Sequence, residues 1–217
     1  MYKYALFDLD GTLTDPSLGI TNSILHALCK MGRELPPREE LYRFIGPPLV
    51  PAFQEFLGMT PDEAEQAVVF YREYFSVTGL FENTPYPGIA DLLAKLNNHG
   101  IILAVATSKP EQFAVRIIEH FGMADAFTIV CGASLDSSRA KKGAVIAYTL
   151  ESLGITEAEK SSVLMIGDRH HDIDGAKENG LASAGVLWGF GDETELKTAG
   201  ADAIAHNMDE LFNIITE

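Results

Sequence analysis

Cysteine is nearly absent from this 217-residue chain, which has only Cys29 and Cys131. The two lie far apart and lack the spacing of a thiolate metal site. Neither a disulfide framework nor a cysteine-held metal is expected, and free thiols in a reducing cytoplasm are. Basic residues are scarce as well, 16 against 31 acidic ones, for a formal net charge of −15. Such a surface repels nucleic acid and anionic lipid, so neither is an expected partner. It would also slow a small anionic substrate unless the site itself is locally positive. No apolar run approaches the roughly 20 residues of a bilayer-spanning helix. The opening residues, one lysine and then Asp8, do not read as a signal peptide. Internal repeats and low-complexity segments are missing too. What remains is a soluble chain of ordinary composition, expected in the cytoplasm and long enough for one large domain or a domain with an insert.

The chain is organised around Phe7-Asp8-Leu9-Asp10-Gly11-Thr12-Leu13-Thr14. Before it, Tyr4-Ala5-Leu6 reads as a short buried strand. Residues two apart in an extended chain face the same side, so Asp8 and Asp10 point into one space at the end of that strand. From Asp15 to about Glu82 the pattern is helical throughout: a stripe at Ile20, Ile24, Leu25 and Leu28, short helices at 38–45 and 49–57, and a helix opened by Thr60-Pro61-Asp62-Glu63, a capping box with proline at its first position. After Asn83-Thr84-Pro85-Tyr86-Pro87-Gly88 the chain alternates helix and strand. Strands are expected at 101–106, 127–130, 163–166, within 181–187 and at 203–204, and the last helix begins at Met208 behind Asn207. Alternation of this kind predicts an α/β fold with a doubly wound parallel sheet. The helical block interrupts it just after the first strand and reads as an insert, residues 15–82 within a core made of 1–14 and 83–217.

Three strands end in polar clusters: Asp8 with Asp10, Thr107-Ser108-Lys109, and Asp168 with Asp172. In a parallel sheet these ends share one edge, where such folds bind their ligands. Lys141 and Lys142 sit at the start of a helix, near another element end. Four carboxylates in one place need a cation, and all-oxygen ligation suits Mg2+, which often shares the oxygens of a substrate phosphate. A carboxylate can also accept a phosphoryl group covalently.

Four segments in order resemble the motifs of the haloacid dehalogenase superfamily: Asp8-Leu9-Asp10-Gly11-Thr12-Leu13-Thr14, Thr107-Ser108-Lys109, Lys142 ahead of a helix, and Gly167-Asp168-Arg169-His170-His171-Asp172. The resemblance spans the whole chain. It implies a Rossmann-like core with a small α-helical cap at 15–82. Thr107-Ser108-Lys109-Pro110, Gly46-Pro47-Pro48-Leu49 and Leu187-Trp188-Gly189-Phe190-Gly191 resemble the phosphoglycolate phosphatase-like branch, in which some relatives act on nucleotides. The implied activity is Mg2+-dependent hydrolysis of a small phosphomonoester, with Asp8 as nucleophile and Asp10 as acid and base. The metal would be held by Asp8, Asp10 (through its carbonyl) and Asp168, with Asp172 supporting directly or through water. Thr107, with Ser108, would hold phosphoryl oxygens, and Lys142 would neutralise charge between Asp8 and the phosphoryl group.

Between Lys141 and Lys142, the following Val145-Ile146-Ala147-Tyr148 favours Lys142. His170 and His171 read as solvated loop histidines, because carboxylate sites suit Mg2+ better than imidazole does. Gly189-Phe190-Gly191 lacks the rest of a dinucleotide fingerprint and reads as a loop. In the insert, Arg43 is a candidate for a second anionic group on the substrate. A dehalogenase would not need Asp10, a phosphonatase would need a lysine and the insert has only Lys30, and a receiver domain would not need an insert of this size. A sugar-phosphate mutase shares all the motifs. Phosphoglycolate, a nucleoside monophosphate or a sugar phosphate remain open as substrates, and the chain could be a monomer or a homodimer.

Overall fold

The computed structural model describes residues 1–135 and 138–217. The strands are β1 (Tyr4–Phe7), β2 (Thr14–Asp15), β3 (Thr84–Pro85), β4 (Ile102–Pro110), β5 (Ile129–Ala133), β6 (Val163–Gly167), β7 (Ala182–Val186) and β8 (Ala203–Ala205). The helices are α1 (Ser17–Lys30), α2 (Leu49–Leu57), α3 (Pro61–Tyr74), α4 (Ile89–Asn98), α5 (Glu111–His120), α6 (Lys142–Ser152), α7 (His170–Glu178), α8 (Glu193–Ala199) and α9 (Met208–Thr216). The chain divides into two compact units, one of Met1–Thr14 with Pro85–Glu217 and the other of Asp15–Thr84. The two-residue strands β2 and β3 pair with each other where the chain passes from one unit to the other.

In the first unit, six strands form a sheet in the order β5-β4-β1-β6-β7-β8, and every pairing is parallel. The order reverses at β1, which lies between β4 and β6, so a crevice opens at the carboxyl ends of these three strands. Sheet and helices follow from the strands being apolar on both faces. Tyr4, Leu6, Ala104, Ala106, Val163 and Met165 point to one side and pack on Val145, Ile146 and Leu150 of α6 and Ala176 of α7. Their neighbours Ala5, Phe7, Leu103, Val105, Leu164 and Ile166 are also buried. A fully buried Leu, Ile or Phe is worth about 1.5–3 kcal/mol, so the central strands are the anchor on which the crevice is built.

Two strands differ from the sequence expectation. β4 does not stop at Ala106 but continues to Pro110, with a register shift against β5 between Thr107 and Pro110. This irregularity keeps the chain extended through polar residues and re-aims their side chains, as bulges do. β5 starts at Ile129 rather than Phe127: the Phe127 amide donates to the Ala124 carbonyl at the end of a 3-10 turn over Ala124–Ala126, and its ring packs edge-on against Phe7, 6.3 Å between centroids. Helix α8 had no counterpart in the expectation.

In the second unit, α3 begins as its sequence predicts: Thr60 accepts the Glu63 amide, Glu63 reaches back to the Thr60 amide, and Pro61 takes the first position. The segment at 38–45 forms a 3-10 helix over Arg38–Phe44, and α3 passes into a π turn at Phe75–Gly79. The interior gathers Ile20, Ile24 and Leu28 of α1 with Ala64, Ala67 and Tyr71 of α3. Phe44 lies between Phe53 and Phe56, with both ring centroids at 5.2 Å. Lys30 pairs with Glu73 at the surface of this unit, 3.5 Å apart.

Candidate active site

Asp8 follows β1 directly and is almost fully buried. Beyond it the chain must turn back sharply, and Gly11 supplies a φ of +87°. Glycine is required there twice over. A side chain would be strained at that φ, and a Cβ would fall 2.2 Å from Asp168 Oδ2. Gly167 plays the same part next to Asp172, where a Cβ would lie 2.1 Å from the carboxyl carbon. The two glycines let carboxylates from β1, β6 and the first turn of α7 approach one another.

The approach is close. One oxygen from each of Asp8, Asp168 and Asp172 lies within 4.8 Å of the others, and all three residues are buried. Lys142, the first residue of α6, lies between two of them, with Nζ 2.7 Å from Asp8 Oδ1 and 2.8 Å from Asp172 Oδ1. It also donates to the Ala106 carbonyl at 3.0 Å. The two carboxyl oxygens face the ammonium at ion-pair distance without a lined-up hydrogen-bond donor. Burial works against the charge on Lys142, but Asp172 and Asp8 outweigh it and raise its pKa. Lys141 is exposed, which settles which of the two lysines enters the crevice.

Asp10 has a partner of its own. Its Oδ2 meets Lys109 Nζ at 2.5 Å, with both side chains largely buried. Lys109 reaches it from the irregular end of β4, where its amide donates to Thr107 Oγ1 at 3.2 Å. Burial pushes the Asp10 carboxyl up from its usual pKa, opposed by Lys109 and reinforced by Asp8. Asp172 is raised to about 6, first by burial and then by Asp8, against the pull of Lys142. Asp168 is raised well above the usual carboxylate range by burial and by the charges of Asp172 and Asp8. Asp168 is steadied by the loop after β7: the Phe190 amide donates to its Oδ2 at 2.8 Å, and Thr12 Oγ1 lies 3.4 Å from Oδ1. Trp188 Nε1 donates to the Thr12 carbonyl at 3.0 Å.

Four carboxyl groups therefore face two ammonium groups, an excess of two acids that leaves residual negative charge. Three buried carboxylates at these separations, with that residual charge, are a donor set suited to a divalent cation.

The structure gathers Asp8, Asp10, Thr107, Lys142, Asp168 and Asp172 around one crevice, with Ser108 half-buried on the same strand end. Arg43 belongs to the other unit, where its guanidinium donates to the Phe56 carbonyl at 3.0 Å and lies 4.9 Å from that residue's ring. Lys109 was singled out by sequence only as part of a polar cluster. Its pairing with Asp10 depends on β4 running on, which nothing in Thr-Ser-Lys-Pro announces. His170 and His171 are not loop residues: they open α7, and His170 is bonded to Glu195 of α8. Helix α8 did carry a signal. Asp192 caps the Glu195 amide at 2.7 Å and Gly200 ends the helix at φ 79°, a spacing legible in the sequence.

Residues 5–186 match the model of a family described as haloacid dehalogenase-like hydrolase. A 5'-nucleotidase from Pseudomonas aeruginosa is 46% identical over 90% of this chain and 87% of its own length. A tyrosine-protein kinase, PtkA, from Mycobacterium tuberculosis is 39% identical over 96% of this chain and 71% of its own. Among solved structures, a predicted phosphatase from Clostridium acetobutylicum superposes with a TM-score of 0.94 at 44% identity, covering 100% of this chain and 99% of that one.

Proposed function

The chain belongs to the haloacid dehalogenase-like hydrolases and is a phosphatase of that family, and from that premise we propose that it hydrolyses a small phosphomonoester through a phosphoryl group carried on Asp8. The observation that carries the reading is the division of labour between two carboxylates at one strand end. Asp8 is held by Lys142 within the three-carboxylate cluster, and Asp10 is held apart by Lys109.

In the first half-reaction Asp8 attacks phosphorus, the bond to the ester oxygen breaks, and Asp10 gives its proton to that oxygen. Burial, which raises the Asp10 pKa, suits it to hold a proton beforehand. In the second, Asp10 takes a proton from water as the water displaces Asp8 and phosphate leaves. Lys142 screens the Asp8 charge as the phosphoryl anion approaches. Thr107 Oγ1 already accepts the Lys109 amide, so its hydroxyl proton is directed to a phosphoryl oxygen, with Ser108 beside it. Mg2+ held by Asp8, Asp168, Asp172 and the Asp10 carbonyl would supply positive charge against the substrate phosphate. The insert would serve as a cap, and Arg43 would exchange its bond to Phe56 for a second anionic group of the substrate.

For the substrate, likeness to a 5'-nucleotidase at 46% identity puts nucleoside 5'-monophosphates first. The Thr107-Ser108-Lys109-Pro110 and Leu187-Trp188-Gly189-Phe190-Gly191 segments support phosphoglycolate as the second reading. Transfer to a hydroxyl, as a kinase or mutase would perform, differs only in what relieves Asp8 of its phosphoryl group.

The test is phosphate release from nucleoside 5'-monophosphates, phosphoglycolate and sugar phosphates, with and without Mg2+. Turnover is expected to need Mg2+, to stop on chelation and to resume on its return. Asp8→Asn is expected to drop to background. Near-native phosphate release by Asp8→Asn, or turnover indifferent to chelation, would overturn the reading.

A further inference from the structure

Asp168 and Asp172 are separated by Arg169, His170 and His171, the residues that leave β6 and enter α7. The spacing of the two acids therefore depends on how this short connection is held. From within, Asp172 Oδ2 accepts the Arg169 amide at 3.1 Å. From outside, one oxygen of Glu195 meets three groups of this connection: the His170 amide at 2.9 Å, His170 Nδ1 at 2.8 Å and Arg169 Nε at 2.9 Å. With the proton on Nδ1, these are three N–H donors on one carboxylate oxygen, and one of them is a first-turn amide that α7 itself cannot satisfy.

Glu195 is well placed to hold them. Its own amide is fixed by Asp192, and the next residue, Leu196, is fully buried. The segment leading into α8 also grips Asp168. The Phe190 amide binds its Oδ2, and Gly191 packs so closely that a Cβ there would fall 1.9 Å from the Asp168 carbonyl oxygen. One stretch, residues 188–195, thus holds Asp168 at one end and Arg169–His170 at the other. Burial pushes the Glu195 carboxyl up, but the His170 and Arg169 bonds more than offset this and hold it at about 2, so it is charged at neutral pH.

We propose that Glu195 is a positioning residue for the metal-binding acids: by clamping Arg169 and His170 it sets the separation of Asp168 and Asp172. It touches neither substrate nor metal. This rests on the reading of Asp8, Asp168 and Asp172 as a Mg2+ site.

The experiment follows the melting temperature of the full-length protein against Mg2+, and in parallel against Mn2+, for the unsubstituted protein, Glu195→Ala and Glu195→Gln. Glu195→Ala is expected to move the Mg2+ midpoint up by about tenfold or more, the usual cost of removing a group that orients a metal ligand, while kcat at saturating Mg2+ is largely kept. Glu195→Gln retains an acceptor for the His170 amide and is expected to fall between. A purely structural role would lower the melting temperature and leave the midpoint alone. Midpoints within twofold of the unsubstituted protein in both variants would overturn the proposal. A missing Mg2+ response in the unsubstituted protein would instead remove the metal reading beneath it, so the two failures are distinguishable.

Discussion

At the scale of single residues the site is a problem in charge. Asp168 is buried, close to Asp8 and Asp172, and its pKa is raised well above the carboxylate range. In the unfolded chain the same group ionises near about 3.9. A carboxyl whose folded pKa is raised costs stability once pH climbs past the unfolded value, so the metal-free protein carries this cost at neutral pH. Asp168→Asn removes the charge and keeps an acceptor for the Phe190 amide. In EDTA at neutral pH it is expected to melt above the unsubstituted protein, by about 2–4 °C for each kcal/mol relieved, and to lose the response to Mg2+. A lower melting temperature in EDTA would show that repulsion is not what dominates Asp168. Asp8, Asp10, Asp168 and Asp172 were all legible in the sequence, because strand ends and carboxylate spacing are local patterns. Lys142 beside Asp8 was legible through the family resemblance, but that Asp10 answers to Lys109 was not, because that pairing joins residues 99 positions apart.

At the scale of elements, apolar runs announced the strands and the capping box announced α3. The ends of β4 and β5 differ from expectation because contacts outside the local pattern decide them: pairing with β5 carries β4 through Thr107 to Pro110, and the 3-10 turn at Ala124–Ala126 takes up the Phe127 amide. Asp192 and Gly200 mark the ends of helix α8, but its seven residues offer too short a stripe for periodicity to predict it. It matters because it ties to α7 through Glu195. The Glu195 carboxyl, held at about 2 against about 4.3 in an unfolded chain, lies below its unfolded value. Its stabilisation is therefore full above that value and is lost as pH falls toward 2. Urea unfolding should show Glu195→Gln less stable by about 1–2 kcal/mol at pH 7, after allowing for solvent screening, with the gap closing by pH 2. A gap independent of pH would mean the charge on Glu195 is not its source.

For the whole molecule, a net charge of −15 sets the field through which an anionic substrate arrives. The crevice adds an excess of acids over ammonium groups unless a cation is bound. At fixed saturating Mg2+, kcat/KM for a phosphomonoester dianion is expected to rise severalfold as ionic strength goes from about 10 to about 150 mM and the Debye length shrinks. A fall would show that the local field of Lys109, Lys142 and bound metal outweighs the surface. Among the described residues no helix is long and apolar enough to cross a membrane.

By itself the sequence determined the α/β class, the helical insert after the first strand, the four acids and the family to which they point, since each of these is written in short-range pattern. Only the tertiary structure decided that Lys109 serves Asp10, that glycines at 11 and 167 make room for carboxylates, and that Glu195 meets the turn between Asp168 and Asp172. Those are distances between residues remote in the chain, fixed by strand order and by the packing of α6, α7 and α8, and no local pattern contains them.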